Sequence, residues 1–141
     1  MAGTGRDQDT ITIPSSPDKI CEVDEFLEDW LRKRGVAENT IADMAIAITE
    51  LVNNAINHGN KQKKDKKVTL TMYYGNGEIK ASITDEGEGF DPENIPDPLA
   101  EENLLKEIGR GIFIVKSLMD DFKYRVLPEG GTEIRIVKKI A

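Results

Sequence analysis

Glu50-Leu-Val-Asn-Asn54-Ala-Ile-Asn-His58-Gly59 carries two patterns at once. Ile48, Leu51, Val52 and Ala55 continue an apolar face begun by Ile41, Met44 and Ala45. That spacing predicts an amphipathic helix opening at Glu38 or Asn39 and stopping at Gly59. At about 100° per residue, Glu50, Asn53, Asn54 and Asn57 fall within an arc of about 100°, on a stripe opposite the apolar face. A solvated helix surface is the ordinary explanation of such a stripe. Here no Lys or Arg occurs from Gly35 to Asn60 although the chain holds 19, and carboxamides are poor helix formers to choose for solubility alone. The stripe therefore reads as a site. A carboxylate with an amide one turn later can take a proton from an attacking hydroxyl while the amide oxygen holds magnesium, which makes Glu50 the candidate base and Asn54 the candidate metal ligand. His58, near the negative end of the helix dipole, reads as a cap.

Downstream, Val68 to Tyr74 and Glu78 to Thr84 alternate apolar and polar residues around Gly75-Asn76-Gly77, which predicts a β-hairpin. Asp85-Glu-Gly87-Glu-Gly89 follows at the strand end. A carboxylate at Asp85 can accept a hydrogen bond from an exocyclic amine such as that of adenine, and Gly87 and Gly89 permit close backbone approach. Residues 90–108 hold Pro92, Pro96 and Pro98 with little periodicity and are expected to form a long loop of the functional kind. Gly109-Arg110-Gly111 is then expected to open a short third helix, its amides free for phosphates and Arg110 adding charge. Two further alternating runs, Phe122 to Leu127 and Thr132 to Val137, flank the turn Pro128-Glu-Gly-Gly131. Upstream, Thr10 to Ile13 reads as a short edge strand before Pro14, and Ile20, Val23, Phe26, Leu27, Trp30 and Leu31 place a first helix at about 18–34. The order of elements implies an α+β two-layer sandwich, a mostly antiparallel sheet with its helices on one face.

Bulk properties narrow the function. The 141 residues fit one domain, expected over 10–141 after a flexible 1–9. Hydrophobic residues at 38% and charged ones at 32% describe a globular protein, and neither a run of about 20 apolar residues nor a signal-peptide core is present, so a cytoplasmic, non-membrane protein is expected. One cysteine, Cys21, and one histidine, His58, exclude an internal disulfide and a usual structural zinc site. A net charge of −7 argues against nucleic-acid binding, and the basic run Lys61 to Lys67, lacking aromatics, reads as a solvated loop. The Walker phosphate loop, the eukaryotic-type kinase signatures and the nucleophile elbow are all missing.

Taken in order, Glu50…Asn54…His58-Gly59, Asp85-x-Gly87-x-Gly89, Gly109-x-Gly111 and Gly131-Thr132 resemble the N, G1, G2 and G3 boxes of the ATPase superfamily shared by gyrase, Hsp90, histidine kinases and MutL. Length, spacing and the stretch Asn103 to Asp121 resemble in particular the anti-sigma factor serine/threonine kinases of bacterial partner switching, over about Thr10 to Lys138. The resemblance implies a Bergerat-type fold with ATP and Mg²⁺ under a lid at 90–108. It implies Glu50 as base, Asn54 on magnesium, Asp85 reading adenine beside Gly87, Gly89 and Thr132, and Gly109, Arg110 and Gly111 on the phosphates. Lys106 and Arg110 are the cations available there. It further implies a STAS-type anti-sigma antagonist as phosphoacceptor, a sigma factor as second partner, and a homodimer. The alternative reading is an ATP-gated binding module with little turnover. A self-contained histidine kinase would need a phosphoacceptor histidine on a dimerisation helix, whereas His58 lies inside the nucleotide motif.

Overall fold

The structure, a computed structural model, describes residues 7–60, 63, 65–87, 102–128 and 130–140, with the helical path alone for 59 and 102–109. The elements run β1 (Asp7–Pro14), a 3₁₀ turn (Pro17–Lys19), α1 (Ile20–Arg32), α2 (Glu38–Asn54) continued by a π-helical turn (Ala55–Gly59), β2 (Lys67–Gly75), β3 (Glu78–Asp85), α3 (Glu102–Leu118), β4 (Asp121–Val126) and β5 (Thr132–Lys139). The strands form one sheet in the order β1-β2-β3-β5-β4, every neighbour antiparallel. The β2–β3 connection is the anticipated tight turn, with Asn76 and Gly77 both at positive φ (56° and 73°) as the right-handed strand twist favours.

Strand alternation sorts the residues between the two faces of the sheet. Leu70, Ile83 and Ile134 are in register across β2, β3 and β5, as are Met72, Ala81 and Ile136. All six are buried in one core with Leu27 and Leu31 of α1, Met44, Ile48 and Leu51 of α2, and Val115 of α3. On the opposite face, hydroxyls pair across β1 and β2, Thr10 with Thr71 at 3.1 Å and Thr12 with Thr69 at 3.3 Å. The two-layer α+β architecture expected from the sequence is therefore present, with helices on the apolar face only.

Two boundaries differ from expectation. β1 starts at Asp7, so part of the segment assigned to a flexible terminus is sheet. It is held there from outside the sheet: Trp30 Nε1 donates to Asp9 Oδ2 at 2.8 Å, and the Arg34 guanidinium, stacked 3.7 Å over the Trp30 ring, pairs with Asp7. The larger difference is α3, which begins at Glu102, so residues 102–108 are helix and not the end of a loop. Its first seven residues, Glu-Asn-Leu-Leu-Lys-Glu-Ile, are mostly strong helix formers, and two glycines cost only about 1 kcal/mol each in a helix flanked by such residues. Residues 88–101, most of the expected lid, lie outside the described residues.

The same alternation positions the site. Asp85 shares its face with Ile79, Ala81 and Ile83, and Thr132 shares its face with Ile134 and Ile136, so both point from adjacent strands toward the helices. The end of α2 is brought to them by Asn60, which is 1% exposed. Its Nδ2 donates to Ser15 Oγ at 2.6 Å and to the Lys67 carbonyl at 3.0 Å, and its Oδ1 accepts the Glu86 amide at 2.8 Å. Its own amide donates five residues back to Ala55, closing the π turn at 2.8 Å. One side chain thus joins β1, β2, α2 and the residue after Asp85. Replacing Asn60 by Ala should lower unfolding free energy by about 2–4 kcal/mol, because several buried polar groups lose their partner together. Urea denaturation measures this, and a loss below about 0.5 kcal/mol would contradict the role.

Candidate active site

Asp85 is 4% exposed. Its Oδ1 accepts the backbone amides of Gly87 at 3.0 Å and Thr132 at 3.2 Å. These contacts orient the carboxylate, while burial pushes its carboxyl above the usual carboxylate range against the opposing pull of the Gly87 and Thr132 amides. The amide of Thr132 reaches Asp85 because the preceding residue passes very close to the end of β3. A Cβ built on Gly131 would lie 2.1 Å from the Asp85 carbonyl oxygen, and Gly131 has φ +96°, so glycine is required there on both grounds.

The second half of the site is on α2. Asn54 is buried (4% exposed), and its Nδ2 has no hydrogen-bond partner among the described residues. An unpaired buried amide costs about 1–3 kcal/mol, which a bound polar ligand would recover. Asn54 thus does not belong to a solvated stripe, as α2 periodicity alone implies. α3 packs along α2 on this side, and a Cβ on Gly111 would sit 2.6 Å from Glu50 Oε2. Gly111 makes room for the Glu50 carboxylate. Asn57 Nδ2 donates to Asn53 Oδ1 at 2.8 Å, so these two half-buried carboxamides brace each other. His58 lies in the last turn of the π-helical segment, at the helix end.

The expected phosphate cradle is not arranged as the sequence implied. Gly109, Arg110 and Gly111 lie inside α3, seven or more residues past its start, where backbone amides are engaged within the helix. They are not free amides at a helix N-terminus. Arg110 is exposed on α3, Lys106 falls on the helix one turn before it, and Gly89 lies outside the described residues. Asn60, which the sequence reading did not weigh, and Gly111, which it placed on the phosphates, are structural to the site. Asn60 had no local signal beyond following Gly59, and the contact of Gly111 with Glu50 depends on how two helices separated by a hairpin pack together.

Two groups of the kind that fit a nucleotide are present: on α2, a buried carboxamide whose Nδ2 has no partner among the described residues, one turn from a carboxylate, and at the end of β3 a buried, amide-oriented carboxylate. The profile of the histidine kinase-like ATPase domain matches residues 13–138. The chain belongs to that family. The chain is 30% identical over 135 residues to the serine-protein kinase RsbW of Staphylococcus epidermidis, with 91% of this chain and 84% of the relative covered. RsbW of Oceanobacillus iheyensis is 27% identical, with 92% and 84% covered. A crystal structure of the RsbU and RsbW domains of Rv1364c from Mycobacterium tuberculosis has the same fold, with a TM-score of 0.70 at 21% identity over 94% of this chain and 32% of the larger one. Within the family, the chain falls among the anti-sigma serine/threonine protein kinases that use ATP. Among the described residues no helix is long and apolar enough to cross a membrane.

The raised carboxyl at Asp85 has a consequence for stability. An acid whose folded pKa lies above its ordinary value of 3.8 contributes most below that value and loses the contribution as pH rises through the folded pKa. Asp85→Asn keeps an acceptor for Gly87 and Thr132 without the buried charge. Without nucleotide, the variant should therefore be more stable than the parent at pH 7, the difference shrinking on acidification and vanishing below about pH 4. Denaturation midpoints across pH test this; a variant less stable at pH 7 than at pH 4, relative to the parent, would contradict it.

Proposed function

We propose that this kinase transfers the γ-phosphoryl group of ATP to a serine or threonine hydroxyl of a STAS-type anti-sigma antagonist, with Glu50 as the base. The observation that supports the reading is the Glu50 carboxylate one turn from the buried amide of Asn54, whose Nδ2 has no partner among the described residues, on a helix whose end Asn60 ties to the residue after the oriented carboxylate of Asp85. Asp85, with one oxygen held by two backbone amides, accepts the exocyclic amine of adenine through its other oxygen, and Gly87, Gly89 and Thr132 frame that end. The Asn54 amide oxygen would hold Mg²⁺. Among the described residues no three acidic, histidine or cysteine groups cluster, so such an ion would take its other ligands from phosphate and water, a common arrangement for magnesium. Bound there, the ion supplies charge neutralisation across the phosphates.

The chemistry is a single displacement. The substrate hydroxyl oxygen bonds to the γ-phosphorus as the bond from phosphorus to the β–γ bridging oxygen breaks, ADP leaves with the electron pair, and the hydroxyl proton passes to a Glu50 oxygen. Gly111 leaves space for that carboxylate, and Arg110, with Lys106 one turn earlier, supplies positive charge for the transferring group. A sigma factor is the second partner, a homodimer the working form and the cytoplasm the compartment. A module that merely closes on ATP has no use for a carboxylate at position 50, which favours the enzyme.

Glu50→Ala should retain ATP affinity within about threefold while phosphoryl transfer falls by about 10² or more, the usual cost of a missing general base. The measurement is single-turnover transfer from γ-labelled ATP with magnesium to candidate antagonist proteins, alongside calorimetry of ATP binding. Equal transfer by variant and parent would remove Glu50 from the chemistry.

A further inference from the structure

A groove of about 820 Å³ runs along the outer surface between α1 and α2 and ends at Glu50 and Asn53. Its apolar lining comes from Ile41, Ala42, Ala45 and Ile46 of α2 and Ile20 of α1. Ile46 is 52% exposed, an unusual place for isoleucine on a helix whose other large apolar residues are buried. Carboxylates border it: Asp24, Glu25 and Glu28 from α1, and Glu38 from α2. The one cation in the lining, Arg32, is engaged at the far end, 3.2 Å from Glu28 and 3.0 Å from Glu38. Among the described residues Asp24 and Glu25 have no cationic partner, and they lie in the first half of α1. Burial, a hydrogen bond to the Glu28 carboxyl and the charges of Glu28 and Glu25 push the Asp24 carboxyl upward, the response of an acid held among like charges.

We propose that this groove is the docking surface for the phosphoacceptor protein, and that it takes an amphipathic segment with an apolar stripe and flanking Lys or Arg residues. The inference rests on Glu50 being the base, since a protein hydroxyl that reaches Glu50 must bring the polypeptide around it over the end of the groove that Glu50 and Asn53 line. Apolar side chains of the segment cover Ile46 and Ala42, and its cations neutralise Asp24 and Glu25, relieving repulsion already present in the free protein. Arg32, bound to Glu28 and Glu38, closes the far end and sets the polarity of the groove: neutralised beside Arg32, negative toward Glu50. Neither the half-buried Asp24 nor the exposed Glu25 belongs to the buried face of α1, formed by Val23, Leu27, Trp30 and Leu31, so substitutions at both leave that face intact.

The test uses a fluorescent synthetic peptide of about 16 residues, four to five helical turns, with Leu at helical spacing and Lys on both flanks, and a control peptide with Glu in place of Lys. Anisotropy titrations are run on the full chain, on Asp24→Lys/Glu25→Lys, and on Ile46→Arg, whose side chain is already exposed and whose fold is checked by its thermal transition. The basic peptide is expected to bind the parent, at least tenfold more weakly to both variants, and the acidic peptide not at all. Absence of binding to the parent, equal binding to all three proteins, or preference for the acidic peptide would overturn the proposal. Self-association of the parent that the same substitutions abolish, without peptide binding, would also overturn it, by assigning the groove to a second copy of this chain. ATP calorimetry on the same samples reads the nucleotide site separately. Unchanged ATP affinity in the groove variants is expected, and a parent that binds peptide but not ATP would sink the kinase reading and with it the phosphoacceptor as occupant, leaving only a groove that takes a basic amphipathic segment.

Discussion

The Asn60 carboxamide, buried between a helix end and three strand ends, is the contact on which the arrangement depends. Its acceptor oxygen holds the amide of Glu86, and its donors hold Ser15 and the start of β2. The helix that carries Glu50 and Asn54 is thereby tied to the residue following Asp85. Without that tie the two halves of the site would depend on apolar packing alone, which fixes distance far less tightly than a satisfied buried hydrogen-bond network does. The π turn that delivers Asn60 is part of the same solution, since it redirects the last residues of α2 toward the sheet.

A second constraint is the parity of β3. Residues 79, 81 and 83 face the helices, so 85 does too, and a carboxylate there is buried by the pleat of the strand whether or not a ligand is present. The protein keeps a buried charge with two backbone amides on one oxygen, which lowers the cost without removing it. The Asn54 Nδ2, without a hydrogen-bond partner among the described residues, is a second such cost. Polar groups left partly unsatisfied in a free protein are the expected signature of a site whose ligand completes them. A neighbouring glycine serves each carboxylate: Gly131 lets the β5 backbone reach Asp85, and Gly111 leaves room for Glu50.

What could be read from sequence followed from local physics. Hairpins, strand alternation and the faces of α1 and α2 were legible because period and turn chemistry act over a few residues, and the placement of Asp85 at a strand end followed from them. The burial of Asn54 was not, because α2 periodicity puts it on the outer side and its burial depends on contacts made only in the folded chain. The start of α3 was misplaced because three prolines between 92 and 98 dominate the run, although the residues from 102 onward favour helix. Asn60 was invisible for a different reason: its partners lie 45, 7 and 26 residues away, and a lone Asn after a Gly reads as a turn. The order of the four boxes along the chain carried more about function than any one of them.

The central claim is that Asn54 on the helix and the Asp85 turn on the sheet are two walls of one Mg·ATP cavity. Titrating Mg·ATP into ¹⁵N-labelled protein and following the Asn54 side-chain amide together with the Gly87 and Thr132 backbone amides tests it most directly. All three signals should shift along one binding curve with a common midpoint. An Asn54 amide that stays in place while ATP saturates the protein, or two curves with separate midpoints, would contradict it.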